Sequence, residues 1–166
     1  FKQSLSRVTL PSNLQTLTFG HHFNQSLNSV NLPSSLQTLT FGYRFNQSLE
    51  GVTLPSSLQT LTFGECFNQS LEHVTLPSIL QTLTFGYCFK QRLENVQLPQ
   101  LQHLTLGENF AELPKTLRSL TTGYEFNESL DFISRGPLDF LQDLTLGARF
   151  NQPLVDVQLP MQLENL

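Results

Sequence analysis

The 166-residue sequence predicts a solenoid, a coil of short parallel β-strands and turns with a 22-residue repeat and little or no helix. Three observations support this fold class. Phenylalanine recurs every 22 residues from Phe1 to Phe89. Each unit contains segments in which apolar and polar residues alternate, as they do in a half-buried strand. A proline and a glycine also recur at fixed positions, so the chain turns at the same places in every unit.

The third unit shows how each part of the repeat is interpreted. Residues 49–54 read LEGVTL and residues 58–63 read LQTLTF, and both are predicted to be strands with their apolar side chains inward. Pro55 ends the first segment because proline has no N–H for a strand ladder. Gly64 ends the second segment and permits a tight turn. We therefore expect two narrow parallel sheets, one from each segment.

The repeat is regular at first and then changes length. Regular coils span residues 1–109, irregular coils span 110–149, and an incomplete last coil spans 150–166. One coil has too few apolar side chains to offset the entropy of ordering it, so the coils must stack into a single domain over residues 1–166. Both ends lie inside a repeat. We therefore expect the chain to be a segment of a larger chain or assembly.

The sequence motif of the repeat resembles that of a known family. The L-x-x-L-x-L/F pattern is similar to a leucine-rich repeat. The motif FNQSL followed by LPSSLQTLTFG resembles FNIP-type leucine-rich repeats. The repeat is also similar to surface-protein-type leucine-rich repeats. This resemblance implies a right-handed solenoid that acts as a non-catalytic protein-interaction or scaffold module. Its partner would be another protein or a subunit of a larger assembly.

Composition and motifs exclude several other classes. The net charge is −4 and no Lys/Arg cluster is present, which argues against nucleic acid as a partner. No apolar run approaches 18 residues, so we expect no membrane span. No nucleophile, phosphate-loop or paired-carboxylate motif occurs, and we expect neither an enzyme nor a cofactor. We expect a soluble protein and lean towards an intracellular location, although the sequence fixes no compartment.

Two sets of residues repeat at the corners of several coils. An asparagine follows the corner Phe, and we expect these amides to hydrogen-bond from coil to coil; N-glycosylation of the N-Q-S pattern is the alternative. Phenylalanines should stack in two columns inside the core. The asparagines are Asn24, Asn46, Asn68, Asn127 and Asn151, and the columns are Phe19, Phe41, Phe63 and Phe85 beside Phe23, Phe45, Phe67 and Phe89.

The two residues before each corner Phe differ between coils, and we call them the variable stripe. Variation on a rigid frame is typical of a recognition edge, but exposed turns also vary freely. The stripe comprises His21, His22, Tyr43, Arg44, Glu65, Cys66, Tyr87, Cys88, Glu108, Asn109, Tyr124, Glu125, Ala148 and Arg149. Its candidate partner-binding residues are Tyr43, Arg44, Glu65, Tyr87 and Tyr124. Cys66 and Cys88 lie on adjacent coils, and we expect free thiols and no metal site.

Two further surfaces are candidates. Phe132, Arg135 and Phe140 lie in the irregular stretch, where changes of repeat length commonly mark a binding face. The second predicted strand carries a T-x-T motif whose threonines should form columns, which fits either an exposed sheet with Thr–Thr pairs or a surface that binds ice or another crystal. The regular columns contain Thr16, Thr18, Thr38, Thr40, Thr60, Thr62, Thr82 and Thr84.

Overall fold

The computed structural model describes residues 8–93, 96–107, 113–131, 133, 138–155 and 157–166. Its described strands form one parallel sheet in the order β1-β2-β3-β4-β5-β6-β7. Each strand has three residues, and consecutive strands along the chain are neighbours in the sheet. The strands are β1 Thr16–Thr18, β2 Thr38–Thr40, β3 Thr60–Thr62, β4 Thr82–Thr84, β5 His103–Thr105, β6 Ser119–Thr121 and β7 Asp143–Thr145.

The register of the sheet confirms that the 22-residue period is one winding of the chain. Leu39 pairs with Leu61, and Leu61 pairs with Leu83. All three leucines are fully buried. The column continues through Leu104, Leu120 and Leu144, although the spacing in sequence changes there. The insertions and deletions therefore fall between strands, where they do not disturb the ladder of backbone hydrogen bonds.

The expectation of two sheets is wrong for the described residues, because the first predicted strand of each unit is a turn. In residues 49–54, the Val52 N–H donates to the Leu49 carbonyl at 3.0 Å. Gly51 lies inside this turn with φ of +76°, a backbone conformation that favours glycine. The hydroxyl of Ser48 accepts the N–H of Glu50 and stabilises the same bend. Leu49 and Val52 are still buried, so the apolar positions of the prediction were right.

The β2, β3 and β4 coils consequently each have three corners and one strand. At the proline corner, the Pro55 carbonyl accepts the N–H of Leu58 at 3.0 Å, just before β3. At the glycine corner, the Gly64 carbonyl accepts the N–H of Phe67. The third corner is the Leu49–Val52 turn. We name each coil after its strand and count it from one corner Phe to the next, so that residues 45–66 are the β3 coil.

The core between the corners contains the two predicted phenylalanine columns, and the structure confirms them. Phe41 and Phe63 stack at a ring-centroid distance of 5.5 Å in the first column. Phe45 and Phe67 are 6.0 Å apart in the second column. The columns also touch each other, since the rings of Phe41 and Phe45 are 3.8 Å apart across the glycine corner. These nearly parallel rings fix the position of the glycine corner that follows each of β1 to β4.

The glycine corners themselves pack against each other. A Cβ added to Gly64 would overlap the Gly42 carbonyl oxygen and would lie 2.8 Å from the Cα of Tyr43. Only a residue without a side chain permits such a close approach of two backbones. Gly20 has nothing within 4 Å of an added Cβ. The recurring glycine is therefore required by stacking between coils rather than by the turn alone.

Helical backbone occurs at Asp131 and Ile133, in agreement with the expectation of little or no helix. In the part of the chain that the structure describes, no helix has the length and apolar character needed to cross a membrane.

Candidate interaction surface

The described residues of the variable stripe occupy the middle of the glycine corners, whereas Glu108 and Asn109 lie outside the described residues. In the β3 coil, the corner is closed by the hydrogen bond from the Phe67 N–H to the Gly64 carbonyl. Phe63 and Phe67 flank the two stripe residues and are both buried. Because the flanking rings fill the core, the side chains of the stripe residues are left exposed or half-buried at the surface. The local sequence thus presents two variable side chains from a corner whose ends are anchored.

The backbone of the stripe is also fixed from one coil to the next. The N–H of Arg44 donates to the His21 carbonyl, that of Cys66 to Tyr43, and that of Cys88 to Glu65, each at 3.0 Å. A matching bond joins the Arg149 N–H to the Tyr124 carbonyl at 3.1 Å. These bonds continue the ladder of the sheet around the corner. The stripe is therefore a row of variable side chains on a hydrogen-bonded frame.

Three tyrosines dominate the exposed surface of the stripe. Tyr43 and Tyr87 are each 48% exposed, and Tyr124 is 61% exposed. They belong to the β2, β4 and β6 coils, so every second coil presents a tyrosine. The ring of Tyr43 stacks on His21 of the preceding coil at 4.8 Å and 7°. The structure therefore brings three of the predicted candidates into one line.

Charged residues lie between and beside these tyrosines. Glu65 belongs to the β3 coil, and its carboxylate accepts the N–H of Tyr87 at 2.8 Å. Arg149 forms an ion pair with Glu125 at 2.8 Å, and its guanidinium lies 5.8 Å from the centre of the Tyr124 ring. The Glu65 contact holds a carboxylate between two tyrosines. Arg44 is exposed on the same edge, as the sequence predicts for a contact residue.

Cys66 and Cys88 are free and half-buried, and their backbones lie in the same stripe. Burial raises the pKa of the Cys88 thiol above its ordinary value, and the nearby Cys66 and Glu65 raise it further, while Lys90 lowers it. A raised pKa keeps this thiol protonated and poorly nucleophilic at neutral pH. Among the described residues, no group of three or more His, Cys, Asp or Glu side chains is placed to hold a metal ion.

A ladder of asparagines supports the stripe from the other side of the corner Phe, and it confirms the predicted coil-to-coil hydrogen bonding. The Oδ1 of Asn46 accepts the N–H of Asn68 at 2.9 Å and the Nε2 of Gln69 at 3.0 Å. Asn24 and Asn68 make the equivalent contacts, the latter to Lys90 and Gln91. The amides are half-buried or exposed rather than buried, because they lie at the surface of the corner.

The remaining candidates from the irregular stretch are Phe132, Arg135 and Phe140, and of these the described residue, Phe140, does not lie on this edge. Phe132 and Arg135 lie outside the described residues. Phe140 is 62% exposed and lines a shallow pocket of about 210 Å³ together with Pro99, Gln102 and Arg118. Its turn, closed by the Leu141 N–H on the Leu138 carbonyl, occupies the place of the proline corner. Phe140 is therefore a separate exposed position from the glycine-corner tyrosines.

The threonine columns lie on the outer face of the sheet. Thr38 pairs with Thr60 and Thr60 with Thr82, and the T-x-T partners pair in the same register. These threonines are half-buried in β2, β3 and β4, and exposed in β1. The first column then changes to His103, Ser119 and Asp143. The second column continues through Thr105, Thr121 and Thr145, so both columns consist of threonine only in the first four strands.

Sequence reasoning missed a set of serines that shape the corners. The hydroxyl of Ser57 donates to the Leu36 carbonyl of the preceding coil at 2.6 Å, and Ser35 donates to the Leu14 carbonyl at 2.7 Å. Ser26, Ser48, Ser70 and Ser129 accept the N–H of the residue two positions later. Their recurrence in the repeat is the signal that could have indicated a third corner.

One in-register parallel sheet, a buried leucine column and repeated corners define a solenoid of the leucine-rich-repeat type. Family models agree with this geometry, since the FNIP repeat model matches residues 1–44, 23–66 and 67–109. The chain therefore belongs to the FNIP repeat family.

Among solved structures, the chain is similar to CroV588, whose crystal structure is described as a novel circular LRR protein structure. The two share 38% sequence identity with a TM-score of 0.76. The alignment covers 98% of this chain and 28% of the CroV588 chain, so this chain spans under a third of that protein. No curated protein sequence matches the chain.

Proposed function

We propose that this chain is a non-catalytic scaffold whose variable stripe binds another protein. The single observation that carries the proposal is that the backbone of the glycine corners is the same from coil to coil, whereas the side chains that it presents differ. The backbone there is hydrogen-bonded between coils at 3.0 Å, while the side chains change from coil to coil and stay at the surface. A fixed frame lowers the entropic cost of binding, which favours recognition by the variable residues.

The composition of the stripe supports a protein partner. Tyrosine and arginine are enriched at the energetic centres of protein interfaces, and the stripe presents Tyr43 and Arg44 on the β2 coil and Tyr87 on the β4 coil. We also propose that the chain functions as one segment, residues 1–166, of a longer solenoid or of an assembly. Its alignment to 28% of a larger repeat protein supports this second proposal.

Affinity capture with matched variants tests the proposed binding surface. The wild-type chain, the double variant Tyr43→Ala/Tyr87→Ala and the control Ile79→Ala would be immobilised and exposed to a lysate. Ile79 is a suitable control because it is exposed but lies at a proline corner. We expect a partner that the wild type and the control retain and the double variant loses, verified by calorimetry with the purified partner. Equal retention by all three would contradict the use of the stripe.

The threonine columns support one alternative function, binding to ice or to another crystal surface. Eight threonines pair in two in-register columns across β1 to β4, which creates a regular array of hydroxyl and methyl groups. Thermal hysteresis of the wild type, lost in Thr40→Val/Thr62→Val, would support this alternative. Absence of thermal hysteresis in the wild type would exclude binding to ice.

A further inference from the structure

The two cysteines of the chain, Cys66 and Cys88, occupy the same place on adjacent coils. Each comes directly before the corner Phe. The N–H of Cys66 donates to the Tyr43 carbonyl, and the N–H of Cys88 donates to the Glu65 carbonyl, both at 3.0 Å. These two bonds are successive steps of one parallel ladder. The cysteines are therefore in register, and their side chains leave the backbone on the same side of the glycine corner.

The distance between the two glycine corners is given by the phenylalanines that flank the cysteines. The rings of Phe63 and Phe85, on one side, have their centroids 5.3 Å apart. The rings of Phe67 and Phe89, on the other side, are 6.1 Å apart, and each pair is within 7° of parallel. Cysteines can form a disulfide when their Cα atoms are about 4.4–6.8 Å apart. The spacing of the coils on both sides of the cysteines lies inside this range.

The two thiols are also accessible and close to each other. Both cysteines are half-buried and unpaired in the structure, so a small reagent can reach them from solvent. The nearby Cys66 is one of the groups that raise the pKa of the Cys88 thiol, and an interaction of this kind requires the two side chains to be neighbours. The pair thus combines register, spacing and access, which a single cysteine would not provide.

A disulfide at this place would be strained. Side chains in register on parallel backbones start at the spacing of the coils, whereas a disulfide holds its two Cβ atoms about 3.5–4.5 Å apart. The Cβ atoms of Cys66 and Cys88 must therefore approach each other by about 1–2 Å when the bond forms. Strained and accessible disulfides are more easily reduced than relaxed structural ones. The geometry favours a bond that forms and breaks reversibly.

We propose that Cys66 and Cys88 form a site of reversible oxidation, at which a small-molecule disulfide such as oxidised glutathione converts the two thiols into a disulfide between the β3 and β4 coils. The bond lies within the variable stripe, next to Glu65 and Tyr87 in sequence. The inference goes beyond the proposed function and does not depend on it, because the bond requires only two stacked coils.

The oxidation consists of two thiol–disulfide exchange steps. The thiolate of Cys66 attacks one sulfur of oxidised glutathione, so a mixed disulfide forms, the S–S bond of the oxidant breaks and one glutathione leaves as its thiolate. Cys88 then gives its proton to solvent, and its thiolate attacks the Cys66 sulfur and releases the second glutathione. Two protein thiols are oxidised and one oxidant is reduced to two thiols. Cys66 takes the first step because the raised pKa of Cys88 disfavours the Cys88 thiolate.

Oxidation of the folded chain in a glutathione buffer, followed by alkylation and mass spectrometry, tests the bond. We expect the wild type to lose both alkylatable thiols together with the mass of two hydrogen atoms, and to retain no glutathione. Digestion should release a peptide pair joined through Cys66 and Cys88. The variants Cys66→Ser and Cys88→Ser should each retain one glutathione instead. Two glutathione adducts on the wild type, or a disulfide between two chains, would overturn the proposal.

A matched variant tests whether adjacent coils are required. Arg44→Cys/Cys66→Ser keeps two cysteines at the same place in the corner, but it puts them on the β2 and β4 coils. Two coil steps separate them by about 11–12 Å, beyond the upper limit of about 6.8 Å for a disulfide. We expect at least about a tenfold lower yield of intrachain disulfide than in the wild type. An equal yield would show that the bond forms without stacked coils and would overturn the proposal.

Reduction of the oxidised chain tests reversibility. We expect an excess of reduced glutathione to restore both alkylatable thiols while the chain stays folded, because strain makes the disulfide labile. Circular dichroism during the reaction checks that the fold is kept. A disulfide that resists reduced glutathione in the folded chain and is reduced only in urea would be a structural bond, and would overturn the assignment of reversible oxidation.

Discussion

The β2–β4 coils and the later β5–β7 coils preserve different features of the repeat. Both regions keep the in-register leucine column and the glycine corner. The first phenylalanine column ends at Phe85, and the equivalent positions that follow are Leu106, Thr122 and Leu146. Thr122 is buried, and its hydroxyl accepts the N–H of Gly147 at 2.9 Å. Strand pairing and close glycine packing are thus general requirements, whereas the ring columns are one of several ways to fill the core.

Glycine substitutions should break this general requirement with the largest effect. In Gly64→Ala, the new Cβ would overlap the Gly42 carbonyl, and the blocking atoms are backbone atoms that cannot rotate away. We expect a loss of about 4 kcal/mol in the free energy of unfolding, measured by urea denaturation. Gly20→Ala is the matched control, because nothing lies within 4 Å of its added Cβ. Similar losses in both variants would show that the turn, rather than stacking between coils, requires glycine.

Phenylalanine substitutions should separate the two regions directly. Phe45 is fully buried and stacks on Phe41 at 3.8 Å, so Phe45→Ala should cost about 3–4 kcal/mol. Phe150 is half-buried at the start of the incomplete last coil, and its ring lies 5.9 Å from Phe126. We expect Phe150→Ala to cost roughly half as much, because less apolar area is buried there. Thermal unfolding of both variants measures the ratio, and equal costs would contradict a weaker core in the later coils.

The asparagine ladder should contribute less to the free energy of unfolding than the phenylalanine columns do. Its contribution should also be larger in the regular coils than in the later ones. Asn46→Ala removes an acceptor from two donors, the Asn68 N–H and the Gln69 Nε2, and should cost about 1–2 kcal/mol. Asn127 is exposed, and its Oδ1 accepts the Asn151 N–H. We expect Asn127→Ala to cost less than about 1 kcal/mol in the same denaturation assay. A larger loss of stability in Asn127→Ala than in Asn46→Ala would contradict the expectation that the asparagine ladder contributes more in the regular coils.

One regular coil lacks a serine hydrogen bond that the two coils before it make, and a substitution that restores this bond should stabilise the protein. Ile79 occupies the place where Ser35 and Ser57 donate a hydrogen bond to the preceding coil, and its side chain is 40% exposed. Ile79→Ser should restore such a bond, here to the Leu58 carbonyl, and raise the free energy of unfolding by about 0.5–1 kcal/mol. Ile79→Ala, which cannot form the bond, is the control. No difference between the two variants would mean that this hydroxyl adds nothing to stacking.

The structural features that could be predicted from the sequence are those that recur with the 22-residue period. A residue such as Leu61 or Phe67 recurs every 22 positions, so its column and burial follow once the period is treated as one winding. The LEGVTL segment was misread because a leucine and a valine three residues apart fit both an alternating strand and a turn with two buried ends. Gly51 and Ser48 were the local signals for the turn.

Contacts that occur once could not be predicted in the same way. The hydrogen bond from the Tyr87 N–H to the Glu65 carboxylate depends on the side-chain torsions of Glu65, which the repeat does not fix. The exposed tyrosines were predicted as candidates because they break the repeat. Their alternate-coil line follows only when each is assigned to its strand, β2, β4 or β6. Their binding role stays a prediction.

The central claim is that the variable stripe presents changing side chains on a rigid backbone, and amide hydrogen exchange tests it most directly. The N–H groups of Arg44, Cys66 and Cys88 each donate to the preceding coil at 3.0 Å. We expect NMR to show these amides exchanging as slowly as that of Phe41, which bonds to the Thr62 carbonyl beside the sheet. Exchange of the stripe amides at the rate of an unstructured peptide, with Phe41 still protected, would contradict the claim.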